Sequence, residues 1–380
     1  MTGRVAVALS GGVDSSAAAA LLMEAGRQPF GLTMRLFTPQ ETSNGRAELP
    51  RHGAGAGRCC GGDDVEVARR AAGRLGIPFF VIDMEDLFRR RIVDDFILSY
   101  RAGRTPIPCA TCNHVVKFDG LLRRARGMGA DRLATGHYAR LERDPKSGRR
   151  LLRRAVDAGK DQTYFLFGLS QAVLEQVAFP VGHLSKAEVR EVARRCGLPN
   201  ADKAESQDLC FVPEGDYRRF IRRESVRGGH QTEAGGEIVD VNGRVLGRHA
   251  GLTGFTVGQR HGLGVATGRR LYVLHIDAAS GRVTVGERTE TQCVRLEVAS
   301  VNWVSHPRPG RPVDRLVQIR HRHRPVPARV EPLAGRRAAV IFRRPVEAAA
   351  PGQAAVFYDG DLLAGGGWID AVDSRLASVA

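Results

Sequence analysis

Apolar residues run unbroken from Val5 to Leu9 and dominate Phe30–Phe37 and Pro78–Met84, the mark of strands buried on both faces. Between them the period changes. Val13–Ala25 reads as a helix ending at Gly26, and Asp64–Leu75 as a helix stopped by Gly76. Asp86–Tyr100 and Asn113–Met128 are also helical in period, and Asp131–Thr135 reads as a further strand. The stretch from about Thr38 to Asp63, rich in Gly and polar residues, reads as a mobile loop. Strands alternating with helices predict a parallel α/β sheet. From about Asp157 to Cys196 the pattern is helical throughout.

Beyond about Pro213 the character changes. Short β-branched runs separated by Gly and Pro appear at Glu237–Val241, Leu271–Ile276, Arg282–Val285, Arg315–Ile319, Ala338–Phe342 and Gln353–Tyr358. Their spacing predicts β-rich modules ending in a small barrel. The expected division is an α/β domain over 1–213, a central β-rich domain over 214–290 and a C-terminal β-barrel over 291–380. No internal repeat is evident.

Composition adds a partner class. The 380 residues, 43% apolar, suit two or three domains with real cores. No run of about 18 apolar residues exists, and the N-terminus lacks a signal-peptide layout, so a cytoplasmic location is the default expectation and no membrane role is expected. A formal charge of +16 favours a polyanionic partner, RNA or DNA first. Coding bias also contributes, since arginines number 52 against five lysines and Ala and Gly abound. Seven cysteines are too few, and odd in number, for a disulfide framework, so reduced thiols are expected.

The first chemical signal is Ser10–Ser16, SGGVDSS, between the first strand and the first helix. Two glycines let the backbone approach a ligand closely. Successive N–H groups there, with the helix N-terminus, form an anion nest. Ser10, Ser15 and Ser16 can add hydroxyl donors, and Asp14 can orient the loop or help hold Mg²⁺. No GK[ST] ending follows, so this is not a Walker A loop. The segment is similar to the phosphate loop of the PP-loop ATP pyrophosphatases. That resemblance implies cleavage between the α- and β-phosphates of ATP, leaving an adenylated substrate and pyrophosphate.

Cys109 and Cys112 form CATC at the start of a helical run, where the helix N-terminus and nearby basic residues would lower a thiol pKa. One CxxC alone fits half a zinc site, a redox dithiol or two ordinary cysteines. Cys59–Cys60, adjacent in a Gly-rich loop, fit structural zinc poorly. Cys196 and Cys293 read as buried structural cysteines, and by burial preference alone so would Cys210.

Six blocks change that balance. GRTPIPCATCNHVVKF (Gly103–Phe118), ATGHYAR (Ala134–Arg140), KDQTYFL (Lys160–Leu166), SQDLCF (Ser206–Phe211), TVGQRHGLG (Thr256–Gly264) and PGQAAVFYDGDLLAGGGWI (Pro351–Ile369) occur in the order of the tRNA-specific 2-thiouridylases, which the chain resembles from end to end. The resemblance implies a PP-loop domain of the adenine nucleotide alpha hydrolase-like kind, followed by β-rich central and C-terminal barrel domains. It implies that Cys112 is the nucleophile and that Cys210 carries a persulfide. Ala8, Leu9, Ser10, Gly11, Gly12, Val13, Asp14, Ser15, Met34 and Gly136 match ATP-binding positions. Ile107, Pro108, Cys109, His137, Lys160, Asp161, Gln162, Arg320, His321 and Gln353 match tRNA-contacting positions.

The implied reaction is 2-thiolation of the wobble uridine of tRNAs for Glu, Gln and Lys. ATP and Mg²⁺ are implied, with a persulfide donor (a cysteine desulfurase or a sulfur-relay protein) and a thiol reductant to reset a Cys112–Cys210 disulfide. Basic pairs such as Arg153–Arg154, Arg222–Arg223 and Arg343–Arg344 would track phosphates. One departure stands out. Many relatives read Asn-Pro-Asp where this chain has Ile107-Pro108-Cys109, so the base-contacting acid is absent. Either Cys109 substitutes for it or the acid is dispensable. Three cysteines, Cys109, Cys112 and Cys210, could also ligate an iron–sulfur cluster, although a persulfide route explains two of them without metal. Two rival classes stay open on the residues. A PP-loop amide-forming enzyme would need no paired cysteines, and a non-enzymatic RNA-binding protein would leave the phosphate loop unexplained.

Overall fold

The computed structural model describes residues 3–37, 40–41, 47–48, 62–204, 209–212, 215–227 and 233–374. Most of the Gly-rich loop expected near Thr38–Asp63 lies outside them, Cys59 and Cys60 included, as do Ser206, Gln207 and Asp208. Within that stretch Gln40–Glu41 and Ala47–Glu48 pair antiparallel. The chain forms two compact units. One holds Met1–Val93, Cys109–Asp216 and Asp361–Leu363; the other holds Asp94–Pro108, Tyr217–Gly360 and Ala364–Ala380.

The first unit is built on a five-stranded parallel sheet. Its spatial order is Phe79–Asp83, Gln28–Arg35, Arg4–Ala8, Arg132–Ala134, Val177–Ala178. Strand order therefore reverses direction between Arg4–Ala8 and Arg132–Ala134, which opens a crevice at their carboxyl ends. The helix Val13–Glu24 buries Ala17, Ala18, Ala19 and Ala20, with Ala19 against Val5, Val7 and Leu9 of the sheet. Ala17, Ala18 and Ala20 pack instead against Tyr138, Val181, Val189 and Val192, the last two on the helix Lys186–Arg195, and their methyl-sized side chains let the elements sit close.

The helical run expected over Asp157–Cys196 is broken up. It becomes short turns at Thr163–Phe165 and Pro180–His183, one helical turn at Gln171–Leu174, the edge strand Val177–Ala178, and a regular helix only at Lys186–Arg195. Gly182 marks one of the breaks: a Cβ there would land on the carbonyl oxygen of Ala139, so the chain passes that strand too closely for any side chain. The hairpin Ala139–Arg143/Arg150–Arg154 was not expected. Five of its ten residues are arginines, and their carboxylate partners Glu142, Glu175 and Asp361 replace the apolar alternation that would have announced it.

The cysteine segment is helical from Pro108 to Gly127, but Cys112–Leu121 is wound with i→i+5 bonds. Its register is held by the segment 165–168. Asn113 Nδ2 donates to Phe165 O (3.3 Å), and Gly168 N donates to His114 Nε2 (3.0 Å). That second bond needs a neutral ring, and burial pushes the His114 pKa down to about 4.

In the second unit Gly236–Val239, Val245–His249, Tyr272–Asp277 and Arg282–Gly286 form a four-stranded sheet. Six further strands follow, and Gln292–Trp303 pairs both with Arg337–Glu347 and with Leu362–Ser374, which closes a barrel. Closure leaves no free edge and gathers Val298, Val317, Val330, Val340, Phe357 and Ile369 inside. Ser300 takes a left-handed φ of 53° where the register of Gln292–Trp303 slips, the bend that closure requires. The helix Tyr217–Arg227, hidden in sequence by its arginines, buries Phe220 and Ile221.

Two outcomes are expected. Gly182→Ala should destabilise the chain by about 1–3 kcal/mol, whereas Gly127→Ala, with nothing within 4 Å of the added methyl, should not; urea unfolding compares them. The folded pKa of His114 lies below its ordinary 6.5, so the stability it carries is present above pH 6.5 and lost as pH falls toward about 4. His114→Gln should therefore lose stability less steeply than wild type between those limits, and equal slopes in urea titrations would count against this account.

Candidate active site

The crevice between Arg4–Ala8 and Arg132–Ala134 holds a cavity of ≈ 280 Å³. Its walls include Ala8–Ser10, Gly12–Ser15, Met34 and Thr135–Tyr138. Gly11 has a φ of 74°, and a Cβ there would lie 2.6 Å from Asp64 O. Gly136 is equally constrained: its Cβ would lie 2.6 Å from Ser15 N. Two backbone turns thus meet with no room for a side chain. Gly12 caps the helix Val13–Glu24 without a side-chain acceptor, so the first-turn N–H groups face the cavity side of the loop uncapped.

The loop is braced from within. Ser15 Oγ donates to Gly12 O (3.0 Å) and accepts from Ser10 N (3.1 Å), while Ser16 Oγ donates to Gly12 O (3.3 Å). The serine hydroxyls of the motif thus brace the loop itself. It is also braced from outside, by residues that sequence did not single out. Asn200 Nδ2 donates to Gly11 O (3.1 Å) and Ser16 Oγ (3.0 Å), and Lys203 Nζ to Gly11 O (3.3 Å). Lys203 also pairs with Asp64, whose side chain is almost fully buried. Asp14 accepts from Tyr138 Oη at 2.7 Å and from Lys186 Nζ at 2.7 and 2.9 Å. A reciprocal Ser185–Glu188 cap fixes the helix start from which Lys186 reaches.

His137 lies on the same wall. Its ring bonds Thr135 Oγ1 (2.8 Å) and packs on Phe118 and Phe179. Burial, then the nearby Lys117 charge, hold its pKa well below 6.5, so it is neutral. Lys160 and Gln162 line the cavity, and Gln162 Oε1 accepts from Tyr138 N (3.0 Å). Asp161 does not open onto it. Its carboxylate, 6% exposed, pairs with Arg154 (2.7 Å) and accepts from Thr163 Oγ1.

The cysteines divide by exposure. Cys109 is exposed, Cys112 is 9% exposed and Cys210 is intermediate; all five described cysteines are free thiols. Glu85–Phe88 packs near both reactive candidates. Met84 and Leu87 cover Gly120 of the Cys112 helix, and Phe88 meets Phe211, the neighbour of Cys210, at 5.8 Å between ring centroids. Among the described residues no three Cys, His, Asp or Glu side chains are grouped as metal ligands, so the three cysteines do not form a ready cluster site in this conformation.

The remaining candidates sit in the second unit. Gln353 Nε2 donates to Thr105 O (3.1 Å), and Thr105 N donates to Pro351 O (2.8 Å), so the barrel grips the segment that carries Ile107 and Pro108, both buried. Arg320 and His321 are exposed, their carbonyls held by Gln318 Nε2. Of the basic pairs, Arg153 is bound to Glu142 and Asp361, and Arg154 to Asp161, within the first unit.

Comparison with known proteins accords with this layout. Residues 3–214 match the model described as the tRNA methyl transferase HUP domain, residues 228–287 the tRNA methyl transferase PRC-barrel domain, and residues 294–369 the aminomethyltransferase beta-barrel domain. A tRNA-specific 2-thiouridylase MnmA from Solibacter usitatus is 49% identical over 370 residues, 96% of this chain and 99% of that protein. The protein of the same name from Geotalea uraniireducens is 47% identical over 380 residues, 98% of this chain and 97% of that one. With half the residues shared along nearly the whole of both chains, and the phosphate-loop crevice in place, the chain belongs to the tRNA-specific 2-thiouridylase family.

Proposed function

We propose that this enzyme thiolates C2 of the wobble uridine in tRNAs for Glu, Gln and Lys, using ATP and a persulfide on Cys210. The observation that carries the proposal is one compact unit holding an uncapped helix N-terminus in a lysine-lined crevice together with both Cys112 and Cys210. ATP occupies that crevice through Ala8–Ser15, Met34 and Gly136. The C2 oxygen of the uridine attacks the α-phosphate and pyrophosphate departs, so a poor leaving group becomes AMP. Donors fixed in advance around the departing charge lower this barrier by several kcal/mol, at about 1.4 kcal/mol per tenfold in rate.

The terminal sulfur of the Cys210 persulfide then attacks C2 and AMP leaves. The Cys112 thiolate attacks the inner sulfur, forming a Cys112–Cys210 disulfide and leaving sulfur on the base. A thiol reductant supplies two electrons to restore both thiols. The persulfide comes from a cysteine desulfurase or a relay protein. Mg²⁺ fits this crevice mainly as a companion of the phosphates: Asp14 and Asp64 are each already held by a lysine, so neither carboxylate is set out as a metal cage.

For the RNA, Ile107–Cys109, His137, Lys160–Gln162, Arg320, His321 and Gln353 are assigned as contacts, in domains spanning 1–213, 214–290 and 291–380. Of these, His137, Lys160 and Gln162 line the crevice itself. The second unit adds an open pocket of ≈ 420 Å³ bordered by Arg260, His261, Arg269 and Arg270, which suits a phosphate backbone. No helix among the described residues is long and apolar enough to cross a membrane, and the proposed setting is the cytoplasm.

Cys112→Ser should abolish 2-thiouridine formation, read by nucleoside mass spectrometry, while ATP and tRNA binding stay within about threefold of wild type. Retained product would remove Cys112 from the mechanism. Asp14→Ala, which releases Lys186 and Tyr138, should slow tRNA-dependent pyrophosphate release about tenfold or more, by the scale of an active-site hydrogen bond; an unchanged rate would take Asp14 out of the site.

A further inference from the structure

Lysine is almost absent from this chain, with five residues against 52 arginines. Four of the five, Lys117, Lys160, Lys186 and Lys203, line the phosphate-loop cavity, and among the described residues no arginine does. Coding bias toward arginine acts along the whole sequence and predicts the reverse. The cavity therefore requires an ammonium where the rest of the molecule makes do with a guanidinium. The physical difference is size and shape: an ammonium is a compact point charge on a flexible stem, whereas a guanidinium is a planar fork that fills more of a narrow crevice.

The four lysines have different settings. Lys186 and Lys203 hold Asp14 and Asp64, and Lys203 also holds Gly11 O, so both brace the phosphate loop. Lys117 arrives from another direction. It stands on the i→i+5 wound stretch Cys112–Leu121, five residues beyond Cys112, the interval that this winding brings round to neighbouring positions. Its Nζ donates to Asn113 Oδ1 at 3.0 Å, and Asn113 is itself tied to Phe165 O. Its charge is felt at His137, across the same cavity. One ammonium thus joins the helix of the nucleophilic cysteine to the wall of the nucleotide site.

From this placement we propose that Lys117 is a catalytic residue of the adenylation step: its ammonium contacts the phosphates of ATP and offsets the charge that develops as pyrophosphate leaves. The role is specific to lysine, so arginine does not replace it. This rests on the nucleotide crevice proposed above. Lys117 ties that crevice to Cys112 through Asn113, which places the phosphate-bearing and sulfur-bearing halves of the reaction on one short stretch of helix.

The test uses the full chain with ATP, Mg²⁺ and a tRNA transcript, reading pyrophosphate release and equilibrium ATP binding. Lys146→Arg, outside the cavity, should match wild type. Lys117→Arg and Lys117→Gln should each lower kcat for pyrophosphate release by about a hundredfold or more, with ATP binding weakened less than tenfold and an unchanged melting transition. Should the arginine variant unfold, the glutamine variant decides by the same split between kcat and binding. A kcat within threefold of wild type in either folded variant overturns the proposal, as does a fall in binding that accounts for the whole loss. A wild-type chain that releases no pyrophosphate with tRNA overturns instead the function on which it rests.

Discussion

Two backbone turns meet at the carboxyl ends of the first and fourth strands, and the site depends on how closely they do so. Gly136 presses on Ser15 N and Gly11 on Asp64 O, at separations that leave no space for even a methyl group. This contact sets the direction of the first helix and hence of its uncapped N–H groups. Sheet order supplies the crevice, because the connections diverge to opposite sides there. The alanines of Val13–Glu24 then let the helix lie close to the sheet on one side and to the helix Lys186–Arg195 on the other without pushing the loop outward. Fold and site are one packing problem: a bulkier residue at either glycine would move the donors.

Charge is arranged in two tiers around that contact. The arginines of the hairpin, and several on the helices, pair with carboxylates of their own unit, as Arg140 and Arg153 do with Asp361, at 2.6 Å each. Such exposed or half-exposed pairs contribute little to stability, on the order of 0–1 kcal/mol each, and they remove those arginines from any simple tally of RNA-binding charge. The net +16 is therefore not a map of the RNA footprint. Inside the crevice the logic differs. Lys203 and Asp64 are largely withdrawn from water, so their pairing is costly to break and fixes the loop from behind.

The parallel sheet, the phosphate loop and the change to β modules were legible because each rests on local pattern: buried apolar runs, glycines at a strand–helix turn, and short β-branched runs set off by Gly and Pro. What escaped was tertiary. Val177–Ala178 is a strand only because Leu133–Ala134 lies beside it. The arginine-rich hairpin is held in part by Asp361, some two hundred residues downstream. Asn200, Lys203 and Lys186 reach the loop from nearly two hundred residues downstream, and nothing in their own neighbourhoods marks them. A compositional signal did exist, in the scarcity of lysine, but it acquires meaning only when the cavity shows where those few residues gather.

The cysteine helix shows how a reactive position can be made from structural parts. Asn113 takes a hydrogen bond from Lys117 and gives one to Phe165, and the neutral ring of His114 accepts from Gly168. Two successive side chains therefore fasten the turn after Cys112 to the segment that runs on from Lys160–Gln162. Neither needs to touch a substrate for the consequence to be large. Displacing either would rotate the wide-wound turn and carry Cys112 with it. A largely covered thiol is then reached only by a partner that fits this surface, whereas Cys109, three residues earlier and exposed, is open to any oxidant. The two sulfurs of one CxxC thus differ in access before any chemistry begins, and that difference comes from packing rather than from the motif.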